Sequence, residues 1–505
     1  MKNKKLLFIA LLAAGFTFTA CEPEFDNEVN NSSYSAGDAD FTTYVAIGNS
    51  LTAGYMDGTV SRVGQQYSFP NILSQQFAVV GGGVFTQPSY EEDVNNLGGI
   101  SGIPGFLTRL ILDQRTDIPG ATPGPEPIAG TSTITLTPQA KAFNNMGVPG
   151  AKTYHLLAPG YGNAAGLALG QANPYFVRMA TSPTASVLGD AMSLNPTFFT
   201  NWIGANDVLL YATGGGAGVD QKGNINPATY GQGDITDPNV FANAYSTIVN
   251  TLTSQGAKGV VATIPNVTSI PYFTTVPYNP VPMDAATAAA VNTGYAQYNG
   301  GLQVARGAGL ISADEATRRT VTFQAGESNA VVIVDESLTN LSALGLPSYR
   351  QATASDLIVL TASSFIGTEV NDNPQMINGV TVPLEDRWVL IPTEITAINN
   401  ATTAFNSTIT AVAASKNLPV ADMNAILGKL TTGLRVEDGQ IYTANYFSAD
   451  RVNTVVFSLD GVHPNARGYA LIANEVIKVI NEFYHAKLPL IVPGYYPGAT
   501  VLPSN

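Results

Sequence analysis

Tyr44-Val45-Ala46-Ile47-Gly48-Asn49-Ser50-Leu51-Thr52-Ala53-Gly54-Tyr55 is the stretch from which the rest of the chain can be read. The apolar run Tyr44–Ile47 has the composition of a buried strand, and Leu51 to Tyr55 reads as the start of a helix. Gly48-Asn49-Ser50 therefore falls on a strand-to-helix turn. A serine there is held out at the sheet edge with its N–H at a helix N-terminus. That position supports both a nucleophile and the negative charge it creates. Serine becomes nucleophilic only when a base takes its proton. The chain has three histidines, His155, His463 and His485. Only His463, in Asp460-Gly461-Val462-His463, has a carboxylate three residues before it in a turn-like sequence. Ser50, His463 and Asp460 are thus the candidate nucleophile, base and acid.

Composition sets the frame around that stretch. At 505 residues the chain is long enough for two domains or one decorated domain with a large core. Charged residues make up only 12%, and Gly, Pro, Thr, Asn and Ala are abundant, as in a loop-rich extracytoplasmic protein. The net charge of −14 repels phosphate backbones and argues against a nucleic-acid partner. Its plainer meaning is solubility.

The N-terminus reads as a targeting segment. Met1-Lys2-Asn3-Lys4-Lys5 is basic, Leu6 to Ala20 is apolar, and the run is too short to span a bilayer comfortably. It ends at Phe18-Thr19-Ala20-Cys21, whose cysteine is the chain's only one, so no disulfide can staple the fold. The pattern resembles a bacterial lipoprotein signal. This resemblance implies removal of residues 1–20, lipidation of Cys21 and anchoring in the cell envelope, at the outer membrane. Phe18 stands where leucine is usual, and an ordinary signal peptide is the other reading. Residues 21–40, with Glu22, Glu24, Asp26 and Glu28, read as an acidic disordered tether.

From residue 41 to about 485 strands alternate with helices. Strands are expected at Thr42–Ile47, before Gly147, at Thr197–Ile203, at Lys258–Ile264 and at Leu418–Asp422. Asp237-Pro238 is a capping acid followed by a first-turn proline, and Phe241, Tyr245, Ile248 and Leu252 then share a helix face that Gly256 ends. Another helix is expected over Glu394–Ser415. A last one starts at Pro464 and buries Tyr469, Ile472, Val476, Ile480 and Phe483. The pattern predicts an α/β fold with a mainly parallel central sheet covered on both faces. Residues 486–505 read as a C-terminal tail.

Two stretches rich in Gly, Pro, Asn and Thr interrupt the pattern, at about 56–141 and 272–392. They read as loop-rich insertions. The second carries possible strands at Ala330–Val334 and Asp356–Leu360. Long loops beside a site are usually functional. These are expected either to roof the site or to cover apolar surface and dock a partner.

Four blocks in order, Gly48-Asn49-Ser50, Gly147-Val148-Pro149-Gly150, Gly204-Ala205-Asn206-Asp207 and Asp460-Gly461-Val462-His463, resemble the SGNH hydrolases, also called GDSL-like lipases and esterases. The resemblance covers about half the chain and neither insertion. It implies a flavodoxin-like three-layer α/β/α sandwich and a serine ester hydrolase. Ser50 would attack, His463 would carry the proton, and Asp460 would hold the imidazole. The oxyanion donors implied are the backbone N–H of Ser50, the backbone N–H of Gly150 and the Asn206 amide. Gly147 competes for the glycine role. Gly150 is favoured because it follows the turn-forming Pro149. The family's first block usually has aspartate where this chain has Asn49. That residue is not the triad acid, so the loss bears on rate or pH profile.

Acyl, lipid-like esters are the leading substrate class that the resemblance implies. Carbohydrate acetylesters and thioesters are alternatives, and so is a non-catalytic surface binding lipoprotein. No Gly-x-Ser-x-Gly elbow, His-Glu-x-x-His or Cys/His cluster is present, and Gly214–Gly218 lacks phosphate-loop spacing. That glycine run reads as a flexible loop. No cofactor or metal is implied. His155 reads as a structural or supporting residue. His485 lies where a cation suits a helix end.

Overall fold

A computed structural model describes residues 33–113, 124–437, 439–448, 451–499 and 501–502. Cys21, the signal segment and most of the tether lie outside them. Five strands form the central sheet: β1 (Tyr44–Gly48), β2 (Asn145–Gly147), β3 (Phe198–Trp202), β4 (Lys258–Ala262) and β5 (Val420–Ala421). Their order is β2-β1-β3-β4-β5, and every pairing is parallel. The fold is therefore mixed α/β around a parallel sheet.

Successive residues of these strands enter different cores, which is why they read as unbroken apolar runs. Val45, Ile47, Phe199 and Val261 join one cluster, and Tyr44, Ala46, Phe198 and Val260 join another. The helices that carry the argument are α1 (Ser50–Ala53), α2 (Phe69–Ala78), α3 (Asn206–Thr213), α4 (Pro238–Leu252), α5 (Ala285–Gly307), α6 (Pro392–Ser415), α7 (Met423–Thr432) and α8 (Ala466–Phe483). α4 and α6 supply the first cluster, where Phe241 stacks on Phe405 at 4.2 Å. α2 and α8 supply the second, with Phe77, Tyr469 and Ile480. Asp237 caps α4 through Asn239 N–H and Val240 N–H, as its sequence predicts. In α8, Ile472 is only half-buried and Phe483 is exposed, so the expected stripe is narrower than five residues.

Several boundaries differ from the sequence reading. The tether ends earlier than residue 40. Ser35 pairs with Lys487, Asp38 N–H donates to the Tyr484 carbonyl at 2.7 Å, and Ala39 and Phe41 are buried. The segment after 485 is not a free tail. Ala486 and Leu488 are buried, and Val501–Leu502 pairs with Leu110–Asp113. His485 bonds Asp38 through Nδ1 at 2.9 Å. The stretch 272–392 contains the 23-residue α5 as well as short strand pairs, Val332–Val334 with Tyr349–Gln351 and Leu357–Ile358 with Val389–Leu390. The run Gly214–Gly218 is packed, not free. A Cβ on Gly216 would stand 2.0 Å from a Glu394 carboxylate oxygen, and one on Gly215 would stand 2.2 Å from the Asp386 carbonyl.

The strand order reverses direction between β1 and β3. In open α/β sheets the crevice beyond the carboxyl ends at such a switch point is where ligands bind. Ser50 follows β1, and Asn206 opens the helix after β3.

Candidate active site

β1 delivers its last residue, Gly48, into a space that admits no side chain: a Cβ would stand 2.2 Å from Thr52 Oγ1. Asn49 caps α1, its Oδ1 accepting from Leu51 N–H at 3.1 Å. Ser50 is then the first helical residue, so its own N–H has no acceptor within the helix. Asn49 therefore does as a neutral cap what an aspartate would do, and its Nδ2 is buried without a partner among the described residues.

Ser50 Oγ lies 2.9 Å from His463 Nε2, and His463 Nδ1 lies 2.9 Å from Asp460 Oδ2. With Asp460 ionised, Nδ1 carries the proton and donates it to the carboxylate. Nε2 is then free to accept from the serine hydroxyl. Asp460 also receives the backbone N–H groups of Val462 and His463 on Oδ1, at 2.9 and 2.8 Å. Burial alone would raise this carboxyl. The His463 ring and these donors outweigh it and hold the group below the ordinary aspartate value. The spacing Asp-x-x-His works because one tight turn at Gly461, φ 70°, folds the carboxylate back onto its own histidine.

The oxyanion candidates sort themselves by what their N–H groups already do. Gly147 N–H donates to Asn145 Oδ1 at 3.1 Å, and the residue is packed against α1. Gly150 instead lines the cleft with Ser50 and Asn206. Its φ of +78° requires glycine, although a Cβ would meet nothing closer than 3.8 Å. Glycine is thus needed for the backbone turn and not for want of space. Asn173 holds this turn by donating to the Pro149 carbonyl at 2.8 Å. Asn206 Nδ2 donates to the Ala151 carbonyl at 3.0 Å, which fixes the amide plane and leaves its second hydrogen. Asp207 ties the same two segments together by accepting from Thr153 N–H and Oγ1 at 2.9 and 2.8 Å.

Two cavities meet at Ser50, Leu209, Val462 and His463. One is apolar, about 100 Å³, walled by α3, α7 and α8 side chains such as Leu209, Leu427, Leu430 and Leu471. The other is an open cleft of about 1610 Å³. Both stretches expected as insertions line it, through Pro104, Phe106 and Leu110 and through Tyr272, Leu360 and Ser363. Its wall has many tyrosines, among them Tyr154, Tyr230 and Tyr446. Asp460 is its one carboxylate, and no Lys or Arg lines it among the described residues.

Sequence reasoning missed Asp57, Ser458 and Tyr55. The Tyr55 ring packs on His463 with centroids 4.5 Å apart. Asp57 is buried beside Asp460, and burial first, then the Asp460 charge, pushes its carboxyl up to about 7 against the opposing Leu459 N–H and Arg109. His155 lines the cleft, but its Nδ1 accepts from Lys152 N–H at 3.1 Å and its ring stacks on Tyr161. Burial, then the Lys152 charge, pushes it down to about 4, so it stays neutral. The one group of three carboxylates close enough to share a cation among the described residues is Glu336, Asp386 and Glu394. It lines neither cavity. No helix of the described residues is long and apolar enough to cross a membrane.

Comparison with known proteins adds no relative: no protein-family model, no curated protein and no solved structure matches this chain.

Proposed function

We propose that this chain is a serine ester hydrolase of the SGNH, or GDSL-like, type, built as a three-layer α/β/α sandwich with two insertions. Its preferred substrates are acyl esters with lipid-like chains. The observation that carries the reading is the pair of 2.9 Å contacts joining Ser50, His463 and Asp460 across 413 residues of sequence.

Ser50 Oγ bonds to the ester carbonyl carbon while His463 Nε2 takes the hydroxyl proton. The former carbonyl oxygen becomes an oxyanion facing the N–H groups of Ser50 and Gly150 and the free hydrogen of the Asn206 amide. The intermediate collapses by breaking its bond to the alcohol oxygen, which leaves with the proton from His463. Water, deprotonated by the same nitrogen, then attacks the acyl-serine. The acid is released and the serine hydroxyl restored. Asp460 stays ionised throughout and stabilises the imidazolium.

The apolar cavity beside Ser50 favours an acyl chain over acetyl. Each methylene buried contributes about 0.8 kcal/mol, or roughly fourfold in kcat/KM. The tyrosine-lined cleft, whose one carboxylate is the triad's own Asp460 and which has no Lys or Arg among the described residues, favours a neutral leaving alcohol, and this is what keeps the carbohydrate-ester reading as the second one. Thioester cleavage has no observation in its favour. A fluorophosphonate probe tests the class. Covalent labelling confined to Ser50 agrees with the hydrolase. Folded protein that takes no label contradicts it and moves the binding-lipoprotein reading ahead. On the same reading the chain is anchored through a lipid on Cys21 in a bacterial envelope, at the outer membrane. Incorporation of a fatty-acid label that Cys21→Ser abolishes is the expected result.

A further inference from the structure

A buried carboxylate that the proposed chemistry does not use lies behind the triad. Asp57 sits in the turn Tyr55–Thr59, a short walk from the nucleophile. It is 6% exposed, with φ +55°, a left-handed conformation that aspartate tolerates. Carboxylates are rarely buried this far unless they have partners.

Its carboxylate and its N–H both bond to the segment that carries the triad acid. Asp57 Oδ1 accepts from Leu459 N–H at 3.0 Å. Asp57 N–H donates to Ser458 Oγ at 3.0 Å, and that hydroxyl donates in turn to Asp460 Oδ1 at 3.0 Å. The next residue, Gly58, gives its N–H to Asp460 Oδ2 at 3.1 Å, the same oxygen that faces His463 Nδ1. The Gly58 carbonyl accepts from Tyr55 OH, and the Tyr55 carbonyl accepts from Tyr469 OH at 2.6 Å. On the far side, Tyr446 OH donates to the Leu459 carbonyl at 2.6 Å, and Leu110 N–H donates to the Asp57 carbonyl at 2.7 Å.

Asp460 and His463 come from a loop near the C-terminus, and Ser50 comes from the first strand. Nothing covalent near the site fixes one to the other. A serine–histidine bond that must be kept near 2.9 Å needs the two segments locked, and the locking bonds run through Asp57 and Gly58.

We propose that Asp57 is a positioning residue for the triad. Its carboxylate holds the Ser458–Leu459–Asp460 segment against the turn that follows Ser50, so that Asp460 presents Oδ2 to His463 Nδ1. It touches neither substrate nor the reacting atoms. The kinetic arm of the test rests on the hydrolase reading above, and the spectroscopic arm does not.

The test compares Asp57→Gly and Asp57→Asn in the full chain. Glycine removes the acceptor without strain at this φ, whereas alanine would add strain. Asparagine keeps an oxygen for Leu459 N–H. In Asp57→Gly we expect kcat on an acyl ester to fall on the order of 10²-fold, as for a misplaced catalytic group, with KM nearly unchanged. The downfield proton signal of His463 Nδ1–H should broaden or vanish. Asp57→Asn should restore most of kcat and the signal. Should Asp57→Gly fail to fold, Asp57→Ser, whose hydroxyl falls short of the Leu459 N–H, removes the same acceptor and should give the same loss of signal. Wild-type kcat and an intact signal in Asp57→Gly overturn the proposal. So does an Asp57→Asn variant as impaired as the glycine one, since the negative charge, not the acceptor, would then matter. If the parent hydrolyses no ester yet the signal responds as described, the positioning role stands and the proposed function falls.

Discussion

The two cavities that meet at Ser50 are built on opposite principles. The apolar one is small, about 100 Å³, and is walled by helices that also form the core. The cleft is about 1610 Å³ and is walled by turns and loops, many from the two long interrupting stretches. The first is a gap between packed side chains, so its shape changes only at a cost in packing. The second depends on segments that can vary without touching the sheet. The difference suggests that this chain fixes the acyl side of its proposed substrate with its core and the alcohol side with its loops.

The sharpest break of that comparison is at the shared wall. Ser50→Ala should lower kcat by roughly 10⁴–10⁶-fold for every ester, because both cavities serve the same nucleophile. Asn206→Ala should cost roughly 10²–10³ in kcat with little change in KM, since its donor acts on charge that exists only in the transition state. Filling the apolar cavity by Leu427→Trp should flatten the preference for long acyl chains by about fourfold per methylene excluded, while acetyl esters are cleaved as before. Tyr230→Ala, in the cleft, should change selectivity among alcohols and leave the acyl profile intact. A swap of these two outcomes would reverse the assignment of the cavities.

The smallest effect lies away from both cavities. Asp386 lies on the stretch 272–392, Glu394 opens α6, and Glu336 stands beside both. Burial, followed by the neighbouring carboxylates, pushes Glu394 up to about 9 against the Ile391 N–H, and burial with the Glu336 charge pushes Asp386 up to about 6. Acids raised in the folded state bind protons that the unfolded chain has already lost. Stability from them is complete below the ordinary carboxylate value and is lost as pH climbs toward 9. The melting temperature should therefore be higher at pH 6 than at pH 8.5, and Glu394→Gln should flatten that slope. Asp460, held low, has the opposite sign and loses its contribution only in acid.

How far the sequence could be read follows the same division. β1, β3, β4 and α4 were legible because unbroken apolar runs and the Asp237-Pro238 cap are local signals. The candidate site was legible because Asp460 and His463 are three apart and Ser50 follows its strand directly. α5 was not legible. Its four buried residues are Ala288, Tyr295, Leu302 and Ala305, two of them small alanines, and Gly294, Gly300 and Gly301 interrupt the helix. Asp57 was missed because an aspartate before a glycine ordinarily marks an exposed turn. Its partners, Ser458 and Leu459, lie about four hundred residues away, and the bond to Leu459 N–H spans 402. Gly150 was preferred to Gly147 on its place after Pro149, and the structure adds a reason the sequence could not give, that the Gly147 N–H is already taken by Asn145.

The most direct test is hydrolysis of aryl esters from acetyl to long-chain by the soluble form beginning at Glu22, with Ser50→Ala measured in parallel. The account predicts turnover that rises with chain length and vanishes in Ser50→Ala. A folded parent that hydrolyses none of them, or a Ser50→Ala variant that keeps the parent's rate, would contradict it.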